Sequence, residues 1–252
     1  MEKWEGIQKY SKDKEIEAQV EELVKRFNIS PNDLLNGFPI YVRRPVLKHF
    51  LALYELFRMT INLPGDIVEL GVFRGQTLMM WANFLEARSI GDRTKKVYGF
   101  DNFQGFGKLS PEDGPEYSHV HKVEGDFSPA SHLEELTEAI RIFDNDRFVP
   151  WKKRIELVIG NVEETVPRFV EDYPGLRISL LHFDIDLYKP TLKGLQYLFP
   201  LVVSGGVVVF DEYGIMEWGG ESVAVEQYLS NHGYALQKFE WNNRPGGYLI
   251  KR

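Results

Sequence analysis

Acidic side chains placed where apolar runs end are the chemistry-bearing feature of this chain. In DIVELGVFRGQTLMMW the apolar run at residues 67–70 carries Glu69 and stops at Gly71, and Gly75 follows four residues on. Glycine at such a joint lets the chain turn and lets a ligand reach the backbone, while the first amides of the next helix face the same place. The Gly-x-Gly-x-x-Gly spacing of dinucleotide sites is absent, and an acid beside the first glycine would repel a pyrophosphate. A cationic, hydroxyl-rich ligand suits it better. S-adenosylmethionine (SAM) has a sulfonium, an amino group and no phosphate. The next apolar run ends Gly99-Phe100-Asp101, about 30 residues on, where a carboxylate can accept both hydroxyls of a ribose. A third ends Gly160-Asn161-Val162, where Asn161 either pairs with an adenine edge or caps the following helix. The donor-binding candidates are therefore Glu69, Gly71, Phe73, Arg74, Gly75 and Thr77 in the first loop, Asp101 and Asn102 in the second, and Gly160, Asn161 and Val162 in the third. Asp184, from the cluster described next, lies beside them.

The second constellation is His182-Phe183-Asp184-Ile185-Asp186 with Phe210-Asp211-Glu212. Alternate residues of an extended strand share a face, so His182, Asp184 and Asp186 point one way if the strand stays extended that far, and neighbouring strands lie ~4.8 Å apart. Carboxylates from two adjacent strand ends then meet around one ion, and an all-oxygen set selects Mg2+ or Ca2+ over zinc. The alternative is that some of these acids cap helices or pair with Arg. Asp184 and Asp186 are the proton-accepting candidates. His182 is either a third catalytic group or a core histidine deeper in the strand. Trp218 and Glu221, just beyond the fifth strand, are candidates for a substrate face and a substrate hydroxyl, with plain packing the alternative for Trp218.

Near-continuous apolar strands alternating with helices must position these groups. Strands are expected at 65–72, 95–101, 154–161, 176–186 and 204–212, with helices at Gln76–Arg88, Val162–Asp172, from Pro190-Thr191, and at 221–232. That alternation predicts an α/β fold with a mostly parallel sheet covered on both faces. The segments 233–241 and 246–252, joined by a turn-like 242–245, predict an antiparallel edge pair and hence seven strands. Residues 14–27 have helical apolar spacing, Ser30-Pro31 reads as a helix start, and 45–62 is apolar nearly all round, as a buried helix would be. Residues 1–62 thus form a helical cover, a subunit contact or a wall of the site, ahead of one domain at 63–252. Within it, residues 102–153 turn helix-like only at 133–143, and so long a connection predicts a lid over the ligand.

Bulk properties exclude other classes. A chain of 252 residues fits one large α/β domain. A formal charge of −7 argues against a nucleic-acid partner. Arg43-Arg44 and Lys152-Lys153-Arg154 are short basic runs of the kind that lie on a solvated face. The absence of cysteine removes disulfides and thiolate metal sites and fits a reducing compartment. The polar N-terminus is no secretory signal, and no run reaches 18 apolar residues, so a cytoplasmic location away from membranes is expected.

Taken together, ELGVFRG, YGFDNFQGF, FDIDLYKPT, GGVVVFDEY and WGGESVAVEQYL, across roughly residues 60–230, resemble the macrocin O-methyltransferase-like family. FD-x-DLY-x-PT followed by FDE and W-x-GE looks closest to its nucleotide-rhamnose branch. The resemblance implies a class I SAM-dependent methyltransferase fold (Rossmann-like), methyl transfer to a sugar hydroxyl of a nucleotide sugar or glycoside, Mg2+ dependence and a homo-oligomer. It implies SAM contacts at Glu69, Gly71 and Gly75, the ribose acid at Asp101, metal ligands at Asp184, Asp211 and Glu212, and a general base at Asp184. Macrolide and aminocoumarin members resemble D-G-D and D-D at the two strand ends, where this chain has Asp184-Ile185-Asp186 and Asp211-Glu212. Two other classes differ in sequence. An NAD-dependent nucleotide-sugar dehydrogenase or epimerase needs the tighter glycine spacing and a Tyr-Lys pair a helical turn apart, whereas Tyr188-Lys189 are adjacent. A non-catalytic SAM-binding protein has no need of the acids at 184–212.

Overall fold

The computed structural model describes residues 11–115, 122–128, 130–230 and 232–252. Four helices come first: α1 (Ser11–Arg26), α2 (Pro31–Asn36), α3 (Phe38–Tyr41) and α4 (Arg44–Thr60). Ser30 caps α2 as its sequence implies, accepting from the Asp33 amide at 3.1 Å. Then β1 (Asp66–Leu70), α5 (Gln76–Arg88), β2 (Val97–Asp101), α6 (Leu133–Asp146), β3 (Ile155–Ile159) and α7 (Val162–Asp172) alternate. They are followed by β4 (Ile178–Phe183), α8 (Tyr188–Leu198), β5 (Val202–Phe210), α9 (Gly219–Leu229) and β6 (Gly247–Ile250).

The sheet order is β3-β2-β1-β4-β5-β6, parallel through β5 and antiparallel at β6. Chain order reverses between β1 and β4, so a crevice opens beyond their carboxyl ends, where open α/β sheets bind ligands. Period-2 alternation sorts the strands onto two cores. Val68, Leu70, Phe100 and Phe183 face α7, α8 and α9, whereas Ile67, Val97, Leu180 and Val207 face α4 and α5.

Two expectations are corrected here. Among the described residues the sheet has six strands rather than seven. Residues 233–241 contribute one bridge, Gln237 to Tyr248, and the turn that follows them is tied to other elements. Asn242 reaches the Lys48 carbonyl at 3.3 Å and the Gly246 amide donates to the Asp211 carbonyl at 2.9 Å. Nor is the helix at 45–62 buried all round. Ala52, Leu53, Leu56 and Phe57 of α4 are buried against the sheet and α5, while Leu51 and Met59 are exposed.

The connection 102–153 contains α6 and a short turn at Pro111–Asp113. Its residues 116–121 and 129, and residues 1–10 of the N-terminal segment, lie outside the described residues. The connection is anchored. Asp113, buried, accepts from the Tyr188 amide at the start of α8 at 2.6 Å, and Lys122 donates to the carbonyls of Asp113 and Glu217. In the basic run 152–154, Lys152 and Lys153 are exposed as expected, but Arg154 is not. Arg154 is 1% exposed, pairs with Glu86 at 2.8 Å and donates to the Lys95 and Asp92 carbonyls.

Candidate active site

The carboxyl ends of β1, β2, β4 and β5 border one cavity of about 1050 Å3. Gly71 makes the crevice floor possible. With φ of 88° it adopts a left-handed conformation, and a Cβ there would stand 1.7 Å from the Asp184 carbonyl oxygen. The close approach is therefore between strand ends β1 and β4, not only toward a ligand. Gly75 (φ 83°) caps α5 and is closed over by Leu136 of α6, 2.3 Å from a Cβ placed there. It does not line the cavity, whereas Val72, Phe73, Arg74, Gln76 and Thr77 do.

On the donor side, Asp101 accepts the Val72 and Phe73 amides, both at 2.8 Å, on one oxygen and the Phe103 amide at 2.6 Å on the other. It fixes the β1 loop while lining the cavity. Asn102, also lining, donates to the Gly105 carbonyl at 2.9 Å. Asn161 is the α7 cap, accepting the Glu163 amide at 3.0 Å, and it lines the cavity beside Val162. Gly160 lies behind them, its amide bonded to the Asp101 carbonyl at 2.9 Å.

Glu69 is the main departure on this side. Alternation along β1 turns it onto the face covered by α5, where it is fully buried beside Trp81 and away from the cavity. His182, paired in register with Glu69, lies on the same face, its ring 5.6 Å from Trp81. Its Nδ1 is 3.6 Å from Glu69 and its Nε2 is 3.9 Å from Asp211. These are charge contacts, too long for hydrogen bonds. Burial alone would lower the His182 pKa, but the Asp211 and Glu69 carboxylates outweigh it and push it up to about 10. Burial raises Glu69 itself, and the facing His182 acts against that rise. His182 and Glu69 hold the site from within the sheet and touch no part of the cavity.

The acids divide differently from the expected metal set. Asp184, Asp186 and Glu212 each present a carboxylate oxygen within 4.8 Å of the other two. Asp211, expected as a ligand, is engaged instead by Arg244, whose Nε and Nη2 lie 2.8 and 2.6 Å from its Oδ2. Burial would raise Asp211, but Arg244 and His182 hold it well below the carboxylate range. Arg244 also pairs with Glu212 and lies 3.9 Å from Asp184. Burial, reinforced by the Asp211 charge, raises Asp184. Burial and the Asp186 charge raise Glu212, and burial pushes Asp186 up to about 6. Glu212 Oε2 is buried with no protein partner. Three oxygens that repel one another, one of them unsatisfied, are a donor set that fits a hard divalent cation. Glu221 does not line the cavity: it is fully buried and accepts the Glu212 amide at 3.0 Å.

Trp218 lines the cavity, buried to 4% and edge-on to Phe106 (5.8 Å) and Phe127 (5.9 Å) of the long connection. The cavity wall also holds residues that sequence reasoning passed over. Arg43 is half-buried and pairs with Asp13 and Glu17, while its neighbour Arg44 lines the cavity with Lys48 and His49 of α4. Lys108 and Arg244 line it as well. Their signal was only a basic pair, a lone lysine and a turn sequence.

Residues 45–240 match the macrocin O-methyltransferase (TylF) family. The chain is 29% identical over 178 residues to mycinamicin III 3''-O-methyltransferase of Micromonospora griseorubida, 68% of this chain, and it spans about 63% of that relative's length. The crystal structure of CalS11, calicheamicin methyltransferase, superposes with a TM-score of 0.88 at 28% identity, covering 97% of this chain and 95% of that one. The apo structure of CalS11, described as a TDP-rhamnose 3'-O-methyltransferase, gives 0.79 at 27% identity, covering 97% of both.

Proposed function

Since the chain belongs to the macrocin O-methyltransferase family, we propose that it transfers the methyl group of SAM to a hydroxyl of a sugar, with a divalent cation, Mg2+ or Ca2+, at Asp184, Asp186 and Glu212. The observation that carries this reading is one cavity bordered both by the Gly71 and Asp101 loops and by carboxylates from two adjacent strand ends. The relatives, a TDP-rhamnose 3'-O-methyltransferase among them, support the acceptor class.

When bound, the donor supplies a methyl already activated by its sulfonium, and the cation lowers the pKa of a sugar hydroxyl chelated to it. The protein must align and deprotonate. Asp101 and the loop it fixes hold the nucleoside end, with Asn161 and Val162 beside it. Asp184 or Asp186 takes the hydroxyl proton. Arg244 neutralises Asp211, so the cluster at the strand ends does not carry four uncompensated charges. Trp218, Phe106 and Phe127 wall the acceptor side and exclude water. Alignment of this kind is worth up to ~7–11 kcal/mol. Residues 102–153 serve as the cover over both ligands, and residues 1–62 as the self-association segment, where Phe27, Leu35 and Ile40 are exposed. Light scattering should then report an oligomer.

The test is transfer of labelled methyl from SAM to a panel of sugars, with and without EDTA and in Asp184→Asn. Loss of transfer in both, with S-adenosylhomocysteine (SAH) binding intact, is expected. Transfer untouched by EDTA removes the cation, and no transfer to any sugar removes the function. No helix among the described residues is long and apolar enough to cross a membrane.

A further inference from the structure

The acid trio joins two short side chains, Asp184 and Asp186, to a long one, Glu212. Glutamate has one more rotatable bond than aspartate, and it presents an oxygen to an ion reliably only when that freedom is removed. Two contacts remove it here. The Glu212 amide donates to Glu221 at 3.0 Å, and Nη2 of Arg244 holds the carboxylate through Oε1. The other oxygen, Oε2, is buried with no protein partner. Arg244 also withdraws the neighbouring acid from the set. Its Nε and Nη2 lie 2.8 and 2.6 Å from Oδ2 of Asp211, whose Oδ1 faces His182 at 3.9 Å. One guanidinium thus bridges the carboxylate that stays out of the trio and the one that enters it. The turn carrying Arg244 is built to keep it there. Asn242 donates to the Lys48 carbonyl of α4 at 3.3 Å and to the carbonyl of Arg244 itself. The Gly246 amide donates to the Asp211 carbonyl at 2.9 Å, so close to the strand end that a Cβ on Gly246 would stand 2.1 Å from the Tyr213 carbonyl oxygen.

We propose that Arg244 is the positioning residue of the cation site: it grips Glu212 by one oxygen so that the other is directed at the ion, which makes the site strict enough for Mg2+. The proposal rests on the divalent-cation reading above. Contacts behind a metal-ligating carboxylate are worth roughly 10–100-fold in metal affinity. Mg2+ demands near-ideal octahedral geometry at ~2.0–2.1 Å, whereas Ca2+ accepts flexible arrangements and longer bonds. Losing the grip on Glu212 therefore falls harder on Mg2+ than on Ca2+. Charge alone predicts the opposite. A guanidinium acting only by its charge repels both divalent ions alike, and its removal tightens both. A lysine separates the two effects, because it keeps the charge and lacks the planar fork that spans Asp211 and Glu212.

Calorimetric titration of the metal-stripped full chain with MgCl2 and with CaCl2 tests this with no acceptor present. Arg244→Gln should bind Mg2+ roughly 10–100-fold more weakly than the wild type, with a smaller loss for Ca2+. Arg244→Lys should recover only part of the Mg2+ affinity. Asn242→Ala keeps the guanidinium but loosens its turn, and should move the ratio of Mg2+ to Ca2+ affinity the same way by less. SAH binding by each variant reports correct folding. If Arg244→Gln fails to bind SAH, Asn242→Ala carries the comparison. Variants that bind both ions as tightly as the wild type, or more tightly, overturn the positioning role and leave the cation site standing. Equal weakening of both ions overturns it too, since orientation must discriminate between them. A wild type that binds neither ion removes the cation reading, and the role of Arg244 falls with it.

Discussion

Which acid accepts the proton is decided by how each is held. Asp211 is fixed as an anion by Arg244 and His182, so it is a poor base and a good anchor. Asp186 faces the cavity and burial lifts it to about 6, near the value at which a carboxylate is both deprotonated at neutral pH and basic enough to matter. Its backbone is left-handed, φ 62°, uncommon for Asp and of the kind that collects at functional sites. The sign of the pH effect follows: protonated below its pKa, the base is inactive, so kcat/KM rises with pH. The inflection should fall at or below about 6, since the cation proposed at the trio would favour the ionised form. Asp186→Asn should cost ~10²–10⁴-fold in turnover and abolish that inflection. A pH–rate profile in which the variant keeps the wild-type inflection would transfer the role to Asp184.

At the level of elements, three strands are tied at their buried face by polar groups where apolar ones would ordinarily stand. Glu69 of β1, His182 of β4 and the start of the loop after β5 at Asp211 meet across the register Glu69–His182–Val209. The arrangement fixes Asp211, which fixes Arg244, which in turn borders the acid trio. His182 is thus a positioning residue, and its contribution has a definite pH window. Its folded pKa, about 10, is above the ordinary value of 6.5. The stability it supplies is complete below pH 6.5 and is lost as pH rises toward 10. His182→Gln should cost about 1–3 kcal/mol at pH 7, the range for buried polar groups that lose one partner, since Arg244 still faces Asp211. Urea melts at pH 7 and 9.5 should show wild type and variant converging. Curves that stay parallel across that range would mean His182 carries no charge in the fold.

For the molecule as a whole, what was legible in the sequence was local. Strand-and-helix alternation identified the sheet, and strand ends located Asp101, Asp184, Asp186 and Glu212, because period-2 patterning and glycine turns are written in neighbouring residues. Facing was less legible. Glu69 reads as a ligand contact until its strand parity is set against α5 and Trp81. The partner of the acids was not legible at all: Arg244 comes from a turn sequence 33 residues beyond Asp211. Such pairings arise only from tertiary closure, which also creates a cavity whose ligands bind the folded chain alone. Stability must therefore rise with ligand. SAH at 100 times its Kd adds about 2.7 kcal/mol, which for a chain of this size raises Tm by roughly 5–10 °C. After EDTA treatment, Mg2+ or Ca2+ alone should raise Tm as well, and Asp186→Asn should abolish the metal increment while keeping that of SAH. A protein stabilised by SAH but indifferent to both ions would have a donor site as described and no cation at Asp184, Asp186 and Glu212.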